Sequence, residues 1–283
     1  MLSGRRDDRP DVGEDLRTLE GAEGSRDFHA HLHHAQVPLG LIVGEGDCEV
    51  RKEPQDVIAV VTQADDQVVA WKVGGIPPHL RPVLGQDWVT GPIYSKRQKI
   101  AGDAAVIMPV FEGGFAAVEA EIILEFGDLA GLETPSPSAA EIIPFIARCY
   151  IGVEIASSPM PEINNIGPLA VISDFGNNHG MIIGQEIKDW SPDLLSSIDV
   201  KTYVEGELVG AANPPAPPAG PMGAAAFLVS NLKRRGRPVP AGLRVSSGAL
   251  TGIHDVLVGQ HSTVVFDGIG EIEIDITALT PED

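Results

Sequence analysis

The sequence predicts an α+β or mainly β domain. Three observations lead there: many short apolar, β-branched runs that read as strands, few segments of helical period, and no internal repeat. A chain of 283 residues makes one large domain or two small ones, with ample length to bury a core.

Residues 1 to about 36 are polar and charged without a clear period, and the segment 1–55 is set apart from a main domain over 56–283. Half of the 8 histidines fall in Phe28-His29-Ala30-His31-Leu32-His33-His34. Such spacing suits a soft divalent metal, but no acidic or Cys ligand accompanies it, so a solvated segment is the plainer reading. From residue 56 the texture changes. Asp56 to Val61, Gln67 to Val73 and Ala104 to Val110 read as strands, with a break at Gly74-Gly75-Ile76-Pro77-Pro78. Ala117 to Phe126 alternates: Val118, Ala120, Ile122, Leu124 and Phe126 take one face, and Glu119, Glu121, Ile123 and Glu125 the other.

Ser138-x-x-Glu141 is a capping-box signature for a helix to about Tyr150, which Pro144 should kink or shorten. Ile151 to Ala156, Leu169 to Ser173 and Met181 to Ile187 read as strands, with a polar loop over Asp174 to Gly180. His179 in that loop suits an acid or base, although an exposed loop histidine is the simpler reading. Ala211 to Gly223 holds five prolines and reads as a covering loop rather than a linker, since strands continue beyond it. A helix from Met222 to Arg235 follows, with Lys233, Arg234 and Arg235 at its negative end and Gly236 placed to terminate it. Leu243 to Leu250, Ser262 to Phe266 and Gly270 to Ile276 complete the β structure.

Charge and composition exclude several functions. Lys and Arg total 20 against 40 Asp and Glu, a net charge of −20, which opposes binding to a nucleic-acid backbone or an anionic membrane. No apolar run reaches the length of a spanning helix, and the opening Met1 to Arg6 leads into charge rather than an apolar signal core. Cys48 and Cys149 have no paired spacing, so two free thiols and a cytoplasmic location are expected.

Acidity permits a cation site built from carboxylates. Glu119-Ala120-Glu121 puts two carboxylates on one strand face about 7 Å apart, costly to bury unless a cation lies between them. Hard oxygen ligands suit Mg²⁺, Mn²⁺ or Ca²⁺. The alternative is a wet strand face. Glu271-Ile272-Glu273-Ile274-Asp275 shows the same alternation and serves as the control, expected to be solvent-exposed.

Four segments come in a joint order that carries more than any one of them. They are Ala70-Trp71-Lys72-Val73-Gly74; Gly113 to Glu121; Gly152-Val153-Glu154-Ile155; and the C-terminal run through Phe227 to Leu232, Gly236, Ala241-Gly242, Ser247 to Gly252 and Phe266 to Gly270. Over residues 56 to 276 the chain resembles the 2-keto-4-pentenoate hydratase and 4-oxalocrotonate decarboxylase branch of the fumarylacetoacetate hydrolase superfamily. The resemblance implies a mixed β-roll with few peripheral helices. It also implies a divalent metal, Mg²⁺ first and Mn²⁺ second, held by Glu119, Glu121 and Glu154, with Lys72 and Asp174 as catalytic groups.

The chain departs from the family pattern in places. The Asp-Ser-Arg run that follows the family's third glutamate is here Ile155-Ala156-Ser157-Ser158-Pro159, and the family's Gly-Ser is Gly248-Ala249. Ser246, Ser247 or Thr251 can take the missing hydroxyl's place on a substrate carboxylate. The polar start is unlike the helical start of the family.

The resemblance implies a lyase on a small 2-keto or 2-hydroxydienoic acid, adding water to a 2-hydroxy-2,4-dienoate in aromatic catabolism. Lys72, among apolar neighbours and near a cation, is expected to have a lowered pKa suited to proton transfer; the competing reading is a surface lysine. Decarboxylation of a 2-keto diacid, hydrolysis of an acylpyruvate and dehydration of a 2-keto-3-deoxy sugar acid need the same site. A non-catalytic partner subunit is the alternative of another class. The expected partners are the small-acid substrate and further copies of the chain in a homo-oligomer, with a related catabolic enzyme as a further candidate.

Overall fold

Short, β-rich segments pair into two sheets that cover each other's apolar faces. The computed structural model describes residues 67–216 and 218–280. The histidine cluster His29 to His34, Cys48, the strand expected over Asp56 to Val61 and the boundary at residue 55 lie outside the described residues.

The strands, in chain order, begin with β1 (Val68–Gly75), β2 (Trp88–Tyr94), β3 (Gln98–Ile100), β4 (Val106–Val110) and β5 (Phe115–Phe126). Then come β6 (Ile146–Ser158), β7 (Asn178–Glu186), β8 (Val200–Val204) and β9 (Glu207–Ala212). The last are β10 (Arg244–Ser246), β11 (His254–Asp255), β12 (His261–Phe266) and β13 (Gly270–Ala278). Helices are few and mostly single turns: α1 (Arg81–Leu84), α2 (Ala139–Ile142), α3 (Ile163–Ile166), α4 (Pro168–Ser173), α5 (Pro192–Ser197) and the longer α6 (Pro221–Arg234). None of these is long and apolar enough to cross a membrane.

The first sheet runs β2-β1-β10-β5-β6-β7-β3, with β11 also on β5; the second runs β4-β13-β12-β8-β9. Because β2, at one edge of the first sheet, packs against β7 near the other edge, that sheet curls into a roll. Parity along β5 then sorts its side chains. Val118, Ala120, Ile122, Leu124 and Phe126 join the large core shared with α6 and the second sheet. Ile123, on the other face, packs inside the roll with Ala70, Ile93, Met181 and Ile183. Residues two positions from these interior side chains share their face: Lys72 follows Ala70, and Glu121 precedes Ile123. The roll therefore encloses charge directly beside a small apolar cluster.

Three expected elements differ. The capping box forms, Ser138 Oγ accepting from Glu141 N at 3.3 Å and Glu141 Oε2 from Ser138 N at 2.8 Å. The helix nonetheless stops at Ile142, passes through one 3₁₀ turn carrying Pro144, and β6 begins at Ile146, since Pro144 has no N–H to continue it. The run read as a strand at Leu169 to Ser173 is helix α4, opened by Pro168 at its first position; six residues are too few to display a helical period. Of the run Leu243 to Leu250, only Arg244–Ser246 forms a strand. Several other expectations hold. Cys149 is a buried free thiol, α6 ends before Gly236, whose φ is +65°, and Glu271, Glu273 and Asp275 are exposed between buried Ile272, Ile274 and Ile276.

Candidate metal centre

Register brings the three glutamates together. Strand β5 pairs antiparallel with β6 so that Glu119 stands directly opposite Glu154 and Glu121 opposite Gly152. A side chain at Gly152 would overlap Ile123, so glycine keeps that position clear beside Glu121. On the other side of β5, Ser246 of β10 stands opposite Lys72 of β1 and donates its hydroxyl to Glu121 Oε2. One ligand oxygen from each of Glu119, Glu121 and Glu154 lies within 4.8 Å of the others, and all three residues are buried.

The cluster is held in place from the 174–177 turn and from β7. Lys72 Nζ lies 3.1 Å from Glu154 Oε1 and donates to the Gly176 carbonyl at 2.9 Å. Asn178 Nδ2 donates to the same Glu154 oxygen at 3.0 Å. The turn is tight, with Phe175, Gly176 and Asn177 all left-handed at φ 50°, 76° and 62°. For a bulky residue such as Phe175 this conformation costs roughly 1–3 kcal/mol, so packing must enforce it. Gly91 of β2 is the reason: a Cβ there would overlap the Phe175 carbonyl. The absence of a side chain at Gly91 lets the turn lie against β2 and bring its Gly176 carbonyl to Lys72.

Electrostatics follow from this crowding. Three buried carboxylates face one ammonium, which leaves a formal charge of −2 if all ionise. Burial, with Glu154 adding and Lys72 opposing, pushes Glu119 up to about 7. Burial also carries Glu121 well above its ordinary value, helped by Glu154 and Glu119 and opposed by the Ser246 hydrogen bond and Lys72. For Lys72 burial acts downward, but the carboxylates of Glu154, Glu119 and Glu121 outweigh it and hold the ammonium above its usual range. Its immediate neighbours are anions that favour the ammonium form, whereas the lowered pKa expected from the sequence is that of a lysine beside a bound cation. A surface lysine is ruled out, since Lys72 is buried.

A divalent cation fits these residues. Its charge would cancel the −2, the donors are all hard oxygens, and Glu121 Oε1 and Glu154 Oε2 are buried without a hydrogen-bond partner. The ligands would be Glu119, Glu121 and Glu154.

The remaining candidates are more dispersed. Asp174 caps α4 and interacts with Ser158; burial raises its pKa, and its Oδ2 has no hydrogen-bond partner. Ser247 donates to the Ile122 carbonyl at 2.6 Å. Thr251 lies 2.8 Å from Thr202 Oγ1 and 3.1 Å from His254 Nε2, bridging towards the second sheet. The structure thus gathers Lys72, Glu119, Glu121, Glu154 and Ser246, and engages Ser247 and Thr251 elsewhere. His179 is not an exposed loop residue: β7 begins at Asn178, and the buried imidazole packs 5.2 Å from the Phe111 ring and 3.2 Å from Arg97 Nη1. Sequence reading missed Gly176 and Asn178, whose only signal was a polar loop between apolar elements.

No protein-family model matches the chain, and no curated protein matches its sequence. Solved structures do. The 4-oxalocrotonate decarboxylase of Pseudomonas putida G7, in its complex with magnesium and adipate, superimposes with a TM-score of 0.63 at 21% identity, covering 75% of this chain and 79% of that one. This chain has the fold of the fumarylacetoacetate hydrolase superfamily. The same fold recurs in the 5-carboxymethyl-2-hydroxymuconate delta-isomerase of Mycobacterium smegmatis, with a TM-score of 0.52 at 16% identity over 75% of this chain and 81% of that one. Fumarylpyruvate hydrolase from Pseudomonas aeruginosa, in complex with Mn²⁺ and pyruvate, gives 0.50 at 15% identity over 74% and 89%. The fumarylacetoacetate hydrolase-type roll expected from the four segments is the observed architecture.

Proposed function

We propose that the chain is a divalent-metal-dependent lyase acting on a small 2-keto or 2-hydroxydienoic acid, and that its reaction is hydration of a 2-hydroxy-2,4-dienoate. The observation that carries the reading is the buried cluster of three glutamates with a lysine 3.1 Å from one of them. A divalent cation held by Glu119, Glu121 and Glu154, Mg²⁺ in our reading, supplies Lewis-acid stabilisation of the negative charge that develops on a 2-keto acid.

The chain's own residues do the rest. Lys72 Nζ, fixed by Glu154 and the Gly176 carbonyl, holds and moves the proton exchanged with the substrate's carbon chain. Ser246 orients Glu121 and, of Ser246, Ser247 and Thr251, is the one whose hydroxyl is bonded to the carboxylate cluster. Asp174, with its raised pKa and unpartnered oxygen, is the second acid–base group. The apolar cluster of Ala70, Ile93, Ile123, Met181 and Ile183 closes the roll beside the carboxylates and keeps water from that side.

Decarboxylation of a 2-keto diacid is the second reading, favoured by the overlay on 4-oxalocrotonate decarboxylase. The test is consumption of 2-hydroxypenta-2,4-dienoate followed by ultraviolet absorbance with Mg²⁺ or with EDTA. Metal-dependent loss that yields a 4-hydroxy-2-oxo acid supports hydration, and activity should vanish in Glu119→Ala with the fold retained. Release of CO₂ from a 2-keto diacid, without hydration, would replace the first reading by the second. Full activity in Glu119→Ala would end both.

A further inference from the structure

The chain's largest concentration of positive charge lies at the end of α6. Lys233, Arg234, Arg235 and Arg237 put four of the 20 basic residues within five positions of a protein with net charge −20. The helix dipole favours cations there by about 0.3–1 kcal/mol, but it does not explain how the side chains converge. The guanidinium carbons of Arg235 and Arg237 each lie 5.9 Å from the centroid of the buried Trp71 ring. Two like charges are thereby held against one indole.

Among the described residues neither charge is neutralised. Among the described residues no carboxylate pairs with Arg234, Arg235 or Arg237. Arg237 Nε is buried without an acceptor. Arg235 has one side-chain hydrogen bond, a long one of 3.5 Å to Asn231 Oδ1. Burial, and then repulsion from Arg237 and Arg234, draws the Arg235 guanidinium below its ordinary pKa.

A cavity of about 300 Å³ adjoins this cluster: Arg234 lines it, as does Asn231, the acceptor of the Arg235 hydrogen bond. Phe227, Pro137 and Pro218 give it an apolar wall, and Ser230 adds a hydroxyl. That volume is at the small end of the range for small-molecule sites.

We propose that this cavity binds a small organic anion, its carboxylate or phosphate held by Arg234 in the positive field of Arg235 and Arg237, and its apolar body lying against Phe227. Arg234 lines the cavity, and a guanidinium fork matches either oxyanion with two parallel hydrogen bonds; Arg235, bonded to the lining residue Asn231, and Arg237 stand beside the wall and add positive charge. The apolar wall selects a ligand with a hydrophobic body over a bare ion. None of the residues lining the cavity belongs to the carboxylate cluster.

Equilibrium titration with benzoate and with acetate, in EDTA so that no metal contributes, tests this. Benzoate should bind saturably at one site per chain, about tenfold or more tighter than acetate, a difference of ~1.4 kcal/mol. The double substitution Arg235→Gln and Arg237→Gln should weaken benzoate by about tenfold or more, whereas Glu121→Gln should leave it unchanged. Because the two arginines cover Trp71, Arg234→Gln, at an exposed position, provides a second variant expected to weaken binding without loss of fold. Absence of saturable binding, equal affinity for benzoate and acetate, or unaltered binding in the folded arginine variants would overturn the proposal.

Discussion

Replacing Lys72 with Met removes the only ammonium that, among the described residues, faces three buried carboxylates. At the observed 3.1 Å separation from Glu154, Coulomb attraction is about 5 kcal/mol at an effective dielectric of about 20. Removal of one partner from a buried ion pair costs about 3–5 kcal/mol, because the other charge stays buried and uncompensated. The same range therefore follows from both routes. In a domain of this size each kcal/mol shifts the midpoint by roughly 2–4 °C, so Lys72→Met in EDTA should melt about 6–20 °C below the parent protein.

Two further results follow from the same charges. Divalent metal should stabilise Lys72→Met more than the parent, because it replaces the missing positive charge. The loss should also depend on pH. Glu119 and Glu121 have folded-state pKa values above their ordinary ones, about 7 for Glu119. Raised carboxylates contribute stability fully below their unfolded pKa and lose it as pH rises through the folded value. The penalty of Lys72→Met should accordingly be small near pH 5 and grow towards pH 8. Thermal unfolding of both proteins at pH 5 and pH 8, with EDTA or Mg²⁺, is the assay. A change below about 0.5 kcal/mol at pH 8 in EDTA, the range of ordinary surface substitutions, would refute the reasoning.

The other predictions concern the same framework. Glu121→Gln removes one of the mutually repelling carboxylates and should raise the melting point in EDTA while abolishing the stabilisation by Mg²⁺, both read from thermal unfolding. Gly91→Ala drives a Cβ into the Phe175 carbonyl; it should cost about 1–3 kcal/mol or more in urea unfolding and lower turnover while metal still binds. Metal affinity should rise between pH 5 and pH 8, as Glu119 and Glu121 lose the protons that compete with the cation, measurable by titration at each pH. Glu273→Ala, on the exposed alternating strand, should change stability by less than about 0.5 kcal/mol.

The parts of the site legible in the sequence are those set by strand parity. Alternation along Ala117 to Phe126 put Glu119 and Glu121 on one face and Ile123 beside them, and the fold places that face inside the roll. Glu154 could be joined to them only through family resemblance, because its position opposite Glu119 depends on strand register between distant segments. Two identical alternations, Glu119-Ala120-Glu121 and Glu271-Ile272-Glu273, have opposite fates for the same reason: one face is enclosed by the curled sheet, the other faces solvent. Gly176 acts through a backbone carbonyl in a left-handed turn, and its need for Gly91 on another strand leaves no local trace. His179 reads as a loop residue in the sequence because its partner ring, Phe111, comes from a segment far away in the chain. Leu169 to Ser173 reads as a strand because a short helix of apolar residues shows the same run as a short buried strand.

The most direct test of the metal centre is calorimetric titration of Mg²⁺ into metal-stripped protein near pH 7.5, beside the Glu121→Gln variant. One Mg²⁺ per chain should bind with release of protons from the raised glutamates, and the folded variant should show no binding. Absence of binding by the parent protein, or equal binding by both proteins, would contradict the assignment of Glu119, Glu121 and Glu154 as the metal ligands.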